Sequence, residues 1–209
     1  SDDYQTDPDG SISIVDFSDP ANPVVSTADF TDYNGEEDAL RSQGVRIYGP
    51  DASASQDLEP EYIAVSADGA TAWVTLQENN ALAIIDIATA SVTDIVTLGE
   101  TDRSIAGNGI DASDDDEVID IKTFAGVVGL YLPDSIHGYT VNGKTYLVTA
   151  NEGDARAWGE DNDAYWGEEA DEDAVPPVAC MPDASQGFVE EFRVKHLVHN
   201  SGFARRCVG

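Results

Sequence analysis

The chain has 209 residues, of which 41% are apolar, so it is long enough to build one sizeable core or two small ones. Its 41 acids outnumber its 10 Lys and Arg residues, which gives a formal net charge of −31. Because a surface of this sign repels phosphate backbones and anionic lipid heads, we expect no nucleic-acid partner. The sequence has no run of 18 apolar residues, so no membrane span is expected either.

Three causes could produce this acidity: adaptation to salty surroundings, several sites for hard cations, or a disordered tail. The acids are interleaved with Ile, Val, Leu and aromatic residues, which disfavours a disordered tail. Salt adaptation and calcium sites therefore remain as expectations. Cys180 and Cys207 match no metal-binding spacing, and the sequence leaves open whether they form a disulfide or stay as thiols.

In chain order, the first β-like segment is GSISIVDFSDP at residues 10–20, and residues 24–47 could hold one more blade-like sheet. The clearest unit follows at residues 59–98, where short turns of hairpin length separate four β-like runs. The runs are 62–66, 70–76, 81–87 and 91–98. Four antiparallel strands in about 40 residues is the size of one β-propeller blade.

Two partial copies of this unit indicate an internal repeat. Residues 132–154 repeat its first half, with Pro133 standing for Pro60 and the turn residues Asn142-Gly143 for Asp68-Gly69. Residues 10–20 repeat its second half. The sequence therefore predicts an all-β fold made of propeller-type blades of four antiparallel strands, with long acidic insertions. Because a propeller closes with roughly four to eight blades, we expect a partial propeller that a longer parent or other copies would complete.

The repeat and the composition together suggest three regions. Residues 1–156 hold the blades, and residues 157–186 form an acidic insertion with Trp and Tyr residues. Residues 187–209 form a C-terminal arm, which a truncation could have shortened. A short helix or an irregular path fits this arm better than a strand.

Several motifs in this order are similar to a known family. The motifs are DPDGSISIVDFSDP, EPEYIAVSADGATAWVTLQENNALAIIDI, GNGIDASDDDEVIDI, GLYLPDSIHGY, YLVTANEGDAR and EEFRVKHL. Together they resemble the secreted bacterial β-propellers of the choice-of-anchor I type, which carry YVTN-like repeats and are often labelled alkaline phosphatase-like. This resemblance implies an extracellular or cell-surface location, and the acidity suggests a marine or saline setting.

The first candidate site is a calcium loop in the motif DASDDDEVIDIK. Oxygen-bearing side chains stand at alternate positions, which is the ligand spacing of an EF-hand-like loop. The proposed ligands are Asp111, Ser113, Asp115 and Glu117, with Asp120 as the closing ligand. Asp116 replaces the glycine of the sharp turn, and Lys122 stands where a bidentate Glu belongs, so a solvated acidic turn is the alternative.

The second candidate site follows the repeated motif YLVTANEGDAR. Glu152 and Asp154 could bind calcium or another divalent metal at a strand end, and Arg156 could hold an anionic substrate group. A metal-dependent phosphoesterase would use these three residues in catalysis. The alternative is that Arg156 only pairs with Glu190 or Glu191.

A third candidate pairs His137 with Asp134 as a metal ligand or general base. The repeat sets His137 at the position of Ala64, so a packed core or rim histidine is the first expectation. Three functions remain open: a calcium-stabilised surface propeller with a binding or structural role, a metal-dependent phosphoesterase, and an assembly module that pairs through open blade edges.

Overall fold

A computed structural model describes residues 8–49, 52–112 and 117–153. Within these ranges the chain forms ten β-strands and two short α-helices, so the predicted all-β class is confirmed. The strands are β1 (Ser11–Asp16), β2 (Val24–Asp29), β3 (Pro60–Val65), β4 (Thr71–Leu76), β5 (Ala81–Asp86), β6 (Ser91–Thr97), β7 (Glu100–Asp102), β8 (Val128–Leu130), β9 (Pro133–Val141) and β10 (Lys144–Asn151). The helices are α1 (Glu37–Gln43) and α2 (Ala54–Asp57).

The chain divides into two compact units. One comprises Asp7–Gly99 and Leu130–Asp154, and the other contains Glu100–Gly129. In the latter, β7 and β8 form a two-stranded sheet, and a short bridge joins Ile110 to Lys122. The insertion at 157–186 and the arm at 187–209 lie outside the described residues and stay predictions.

The predicted four-stranded unit is present as one antiparallel sheet in the order β3-β4-β5-β6. Each strand begins and ends within two residues of the predicted run. Its first turn is typical of a hairpin, because Gly69 has a positive φ of 72° and Asp68 accepts hydrogen bonds from Ser66 and Ala70. Turn chemistry and β-branched runs were therefore sufficient to locate this sheet from the sequence.

Both faces of the two central strands, β4 and β5, are buried or half-buried. Because side chains alternate along a strand, Val74 and Ile85 belong to the core cluster on one face, together with Ile12 of β1 and Leu40 of α1. The opposite face contributes to a smaller cluster, whose buried members are Ala64, Leu82 and Ile136. Burial on both faces explains why β4 and β5 read as nearly continuous apolar runs.

Residues 24–47 do not form a further sheet, contrary to the expectation from the sequence. β2 pairs antiparallel with β1, and the chain then turns through Thr31–Tyr33 into α1. The helix ends at Gly44, whose φ of 95° is the left-handed conformation that favours glycine at a helix C-terminus.

β9 and β10 form the predicted hairpin, but their register departs from the repeat. Ile63 and Ile136 are equivalent in the repeat, since each lies three residues after a proline. Ile63 pairs with Val74 in the four-stranded sheet. Ile136 pairs with Thr149, which is one residue beyond the equivalent of Val74. A register offset of one residue reverses the face to which a side chain points. His137 is consequently exposed, so the expectation of a packed histidine is wrong.

A buried amide in the β4–β5 turn holds several loops against the end of the sheet. The Asn79 side chain is fully buried, and its Nδ2 lies 2.8 Å from the Arg46 carbonyl and 2.7 Å from the Asp57 carbonyl. Its Oδ1 accepts a hydrogen bond from the Glu59 N–H. A single side chain therefore satisfies backbone groups from two separate connections. Without these hydrogen bonds, burial of the backbone groups would lower the stability of the fold.

Asp57 extends the network around Asn79. Asn80, which follows Asn79 in the β4–β5 turn, forms a second network. The buried Asp57 carboxylate accepts the backbone N–H groups of Tyr48 and Gly49. Asn80 donates from Nδ2 to the Gly99 carbonyl at 2.7 Å, and its Oδ1 accepts the N–H groups of Tyr131 and Leu132. The last of these contacts fixes the chain just before β9.

We expect Asn79→Ala to lower the free energy of unfolding by about 3 kcal/mol, because it leaves buried backbone groups without partners. The measurement is the midpoint of a urea denaturation curve. Asn22→Ala is the matched control, since among the described residues the Asn22 side-chain amide bonds only the exposed Asp19 carboxylate. It should change stability by less than about 0.5 kcal/mol. Equal effects of the two substitutions would contradict a structural role for Asn79.

Candidate functional site

The described part of the second candidate site lies where β4 and β10 end. Glu152 directly follows β10 and is exposed, and its N–H donates to the Leu132 carbonyl at 3.3 Å. Gln77 directly follows β4, is buried, and donates from Nε2 to Glu152 Oε2 at 3.2 Å. Asp154 and Arg156 lie outside the described residues, so the phosphoesterase triad stays a prediction.

Two further carboxylates lie near the start of the neighbouring strands β3 and β9. Thr75 is fully buried. Its hydroxyl accepts the Tyr62 N–H at 2.9 Å and donates to the Asp134 carbonyl at 3.3 Å. It thereby joins the backbone after Glu61 to the backbone at Asp134. We call Glu61, Asp134 and Glu152 the acidic rim.

Within the acidic rim, Asp134 affects the ionisation of Glu61. The pKa of Glu61 is raised first by partial burial of its carboxyl and second by the negative charge of Asp134. The Glu61 side chain remains more than a third exposed, so solvent screens much of this repulsion. A cation bound at the rim would relieve the repulsion, and so would protonation of Glu61.

Sequence reasoning missed Glu61 and Gln77 as members of this region. The repeat contained a signal for Glu61, because Pro60-Glu61 and Pro133-Asp134 occupy equivalent positions. Gln77 carried no such signal, since a polar residue at a turn is ordinary and its contact with Glu152 joins positions 75 residues apart.

The described ends of the calcium loop candidate are brought together. The Ile110 and Lys122 backbones bond each other in both directions at 3.1 Å, and Asp111 Oδ2 accepts the Asp120 N–H at 3.0 Å. Asp120 pairs with Lys122 at 2.7 Å, so it would have to exchange this ammonium for a cation. Ser113 and Asp115 lie outside the described residues, and Glu117 is exposed with a φ of 54°.

Within residues 8–49, 52–112 and 117–153, no three His, Cys, Asp or Glu side chains are grouped closely enough to hold a metal ion. The third candidate is not joined either: among the described residues, no hydrogen bond or ion pair links Asp134 to His137, and Asp134 lies at a register irregularity at the start of β9. An acid–base pair of Asp134 and His137 therefore has no geometric support.

Many other carboxylates shape turns. Their side chains accept hydrogen bonds from residues two or three positions away in the chain, which lowers their pKa values. This group comprises Asp16, Asp19, Asp29, Asp68, Asp86 and Asp102. Part of the acidity thus has a local structural explanation that requires no ligand.

The fold and the comparison with known families together show to which class this protein belongs. The described residues form antiparallel sheets of two to four strands, and none of their helices is long and apolar enough to cross a membrane. The chain matches the choice-of-anchor I domain over residues 1–195. It therefore belongs to the choice-of-anchor I family, as the sequence motifs predicted, and this membership implies a secreted or cell-surface protein. No curated protein and no solved structure matches the chain.

We expect Glu61→Gln to raise the melting temperature slightly at neutral pH. A carboxyl whose folded pKa is raised destabilises the fold when ionised, and the fold regains this stability as the pH falls through the folded pKa toward the ordinary value. The difference between Glu61→Gln and the wild type should therefore vanish in acid, as differential scanning calorimetry over a pH series would show. A difference that grows on acidification would contradict the raised pKa.

Proposed function

We propose that this chain is a structural segment of a cell-surface β-blade protein, in which further antiparallel sheets cover its two flanking sheets. The observation that carries this proposal is a contrast in burial. The central strands β4 and β5 are covered on both faces, whereas β1–β2 and β9–β10 are each covered on one. Family membership supports the surface location, and the internal repeat supports a propeller as the complete assembly.

The outer face of β1–β2 carries one exposed apolar pair among Ser, Thr and Asp side chains. Val15 and Val25 form a cross-strand pair, and their side chains are 41% and 61% exposed. Cross-strand pairs of this type stabilise a sheet by packing against a covering layer. Exposed apolar faces on soluble proteins commonly mark interaction surfaces.

The outer face of β9–β10 exposes more apolar and aromatic side chains. Tyr139 and Tyr146 stack with ring centroids 5.5 Å apart, and Lys144 lies 5.2 Å from the centre of the Tyr146 ring. Val148 beside them is 54% exposed. A sheet face of this composition favours a second sheet as its covering layer, because aromatic and β-branched side chains interdigitate well between packed sheets.

Electrostatic repulsion opposes association between copies of this chain, because each carries a net charge of −31. We therefore expect association through the outer faces to increase with salt concentration, which light scattering would measure. Val25→Thr and Tyr146→Thr should each reduce both the association and the binding of a hydrophobic dye. Ile105→Thr is the matched control, since Ile105 is 54% exposed but lies outside both sheets. A chain that stays monomeric at high salt and binds no dye would overturn the proposal.

We propose that the chain also binds calcium, at the loop from Asp111 to Asp120. The loop from Asp111 to Asp120 already closes through a carboxylate and a backbone bridge, so a cation there would add to an existing loop rather than create one. Oxygen ligands and a flexible coordination number suit calcium better than magnesium. A bound cation would also neutralise part of the local negative charge.

We expect calcium to raise the melting temperature and EDTA to reverse the change, because a ligand at 100 times its dissociation constant stabilises the fold by about 2.7 kcal/mol. Differential scanning fluorimetry would measure the shift. Asp111→Asn should reduce it, whereas Asp19→Asn should leave it unchanged, since Asp19 only shapes an exposed turn. A wild-type chain with no calcium-dependent shift would remove calcium from the proposal.

A further inference from the structure

The sequence contains three Asn-Gly pairs, at positions 34–35, 108–109 and 142–143. In such a pair the glycine peptide nitrogen can attack the side-chain amide carbon of the asparagine, because glycine offers no side chain to obstruct the approach. The reaction requires a free peptide N–H, a free amide and a backbone that can rotate. The three sites differ in these requirements.

At the first site both reacting groups are occupied. Asn34 Oδ1 accepts the Ser55 N–H at 2.9 Å, and the Gly35 N–H donates to Glu37 Oε1 at 2.9 Å. Glu37 also accepts the Ala54 N–H, so its carboxylate joins the turn before α1 to the start of α2. The attack would have to break two hydrogen bonds that anchor the start of α2.

At the second site the amide and the backbone are held. Asn108 Nδ2 donates to the Asp102 carbonyl at 3.0 Å, and the Asn108 carbonyl accepts Arg103 Nη1 at 3.3 Å. A Cβ atom on Gly109 would lie 2.9 Å from the Lys122 carbonyl, so the backbone there is closely packed. Rotation of this peptide is therefore restricted as well.

The third site is the tip of the β9–β10 hairpin. Asn142 and Gly143 are both exposed, with φ values of 52° and 75°, which are the angles of a two-residue type I′ turn. Among the described residues, neither the Asn142 amide nor the Gly143 N–H has a hydrogen-bond partner. A Cβ atom on Gly143 would meet nothing within 4 Å, so the turn has room to rotate.

We propose that Asn142 is a site of spontaneous deamidation. The Gly143 nitrogen loses its proton to hydroxide and forms a bond to the Asn142 amide carbon, and the amide nitrogen leaves as ammonia. Water then opens the resulting succinimide at either carbonyl, which produces aspartate or isoaspartate without any oxidation or reduction. Isoaspartate adds a methylene group to the backbone, so it is incompatible with the type I′ turn that sets the hairpin register.

The experiment ages the full chain at mildly alkaline pH and locates the amide-to-acid mass increase by peptide mapping. Asn142 should convert fastest, and each hydrogen bond that must open should slow the other two sites by up to about tenfold. Glu37→Ala removes the acceptor of the Gly35 N–H and should accelerate Asn34 relative to Asn142, which serves as the internal reference. A synthetic peptide that spans residues 139–146 provides the rate of an unconstrained site.

Two results would overturn the proposal. One is conversion of Asn34 or Asn108 as fast as Asn142 in the wild type. The other is an unmodified Asn142 after the peptide has converted completely, which would show that the type I′ turn protects the pair. Gly143→Ala separates chemistry from unfolding, because it should slow conversion at Asn142 and leave the other two sites unchanged.

Discussion

The unit formed by Asp7–Gly99 and Leu130–Asp154 depends on the two adjacent amides of the β4–β5 turn. Asn79 satisfies the backbone of the connection that follows α1 and of the connection that follows α2, while Asn80 satisfies Gly99 and the chain that enters β9. Irregular backbone can be buried only when its polar groups have partners. Because these partners come from a turn of the central sheet, the sheet determines where four connections pass.

The central sheet in turn organises the apolar layers. β4 and β5 contribute alternate side chains to the two clusters, so Val74 packs on one side and Leu82 on the other. The flanking sheets use the same alternation, but each has a covered face and an exposed face. This arrangement supports the proposed function, because the central strands β4 and β5 are covered on both faces, whereas the flanking sheets β1–β2 and β9–β10 are each covered on one.

The acidity of the chain has more than one physical role. Carboxylates such as Asp68 hold turns through local hydrogen bonds, and the buried Asp57 carboxylate holds the backbone of residues 48 and 49. At the acidic rim, burial and the negative charge of Asp134 instead raise the pKa of Glu61, so ionisation of Glu61 opposes folding there. Opposed carboxylates of this type are where a cation or a proton would have the largest effect.

The sequence by itself determined the features that depend on neighbours in the chain. The all-β class, the four strands between residues 60 and 97, the hairpin at Asn142-Gly143 and the family followed from alternation, turn residues and ordered motifs. The tertiary structure decided whatever depends on distant partners. These features are the one-residue register offset that exposes His137, the contact of Gln77 with Glu152 and the burial of Asn79. An asparagine in a turn looks the same in the sequence whether it faces water or fills the end of a sheet, because the difference lies in the backbone groups that folding brings to it.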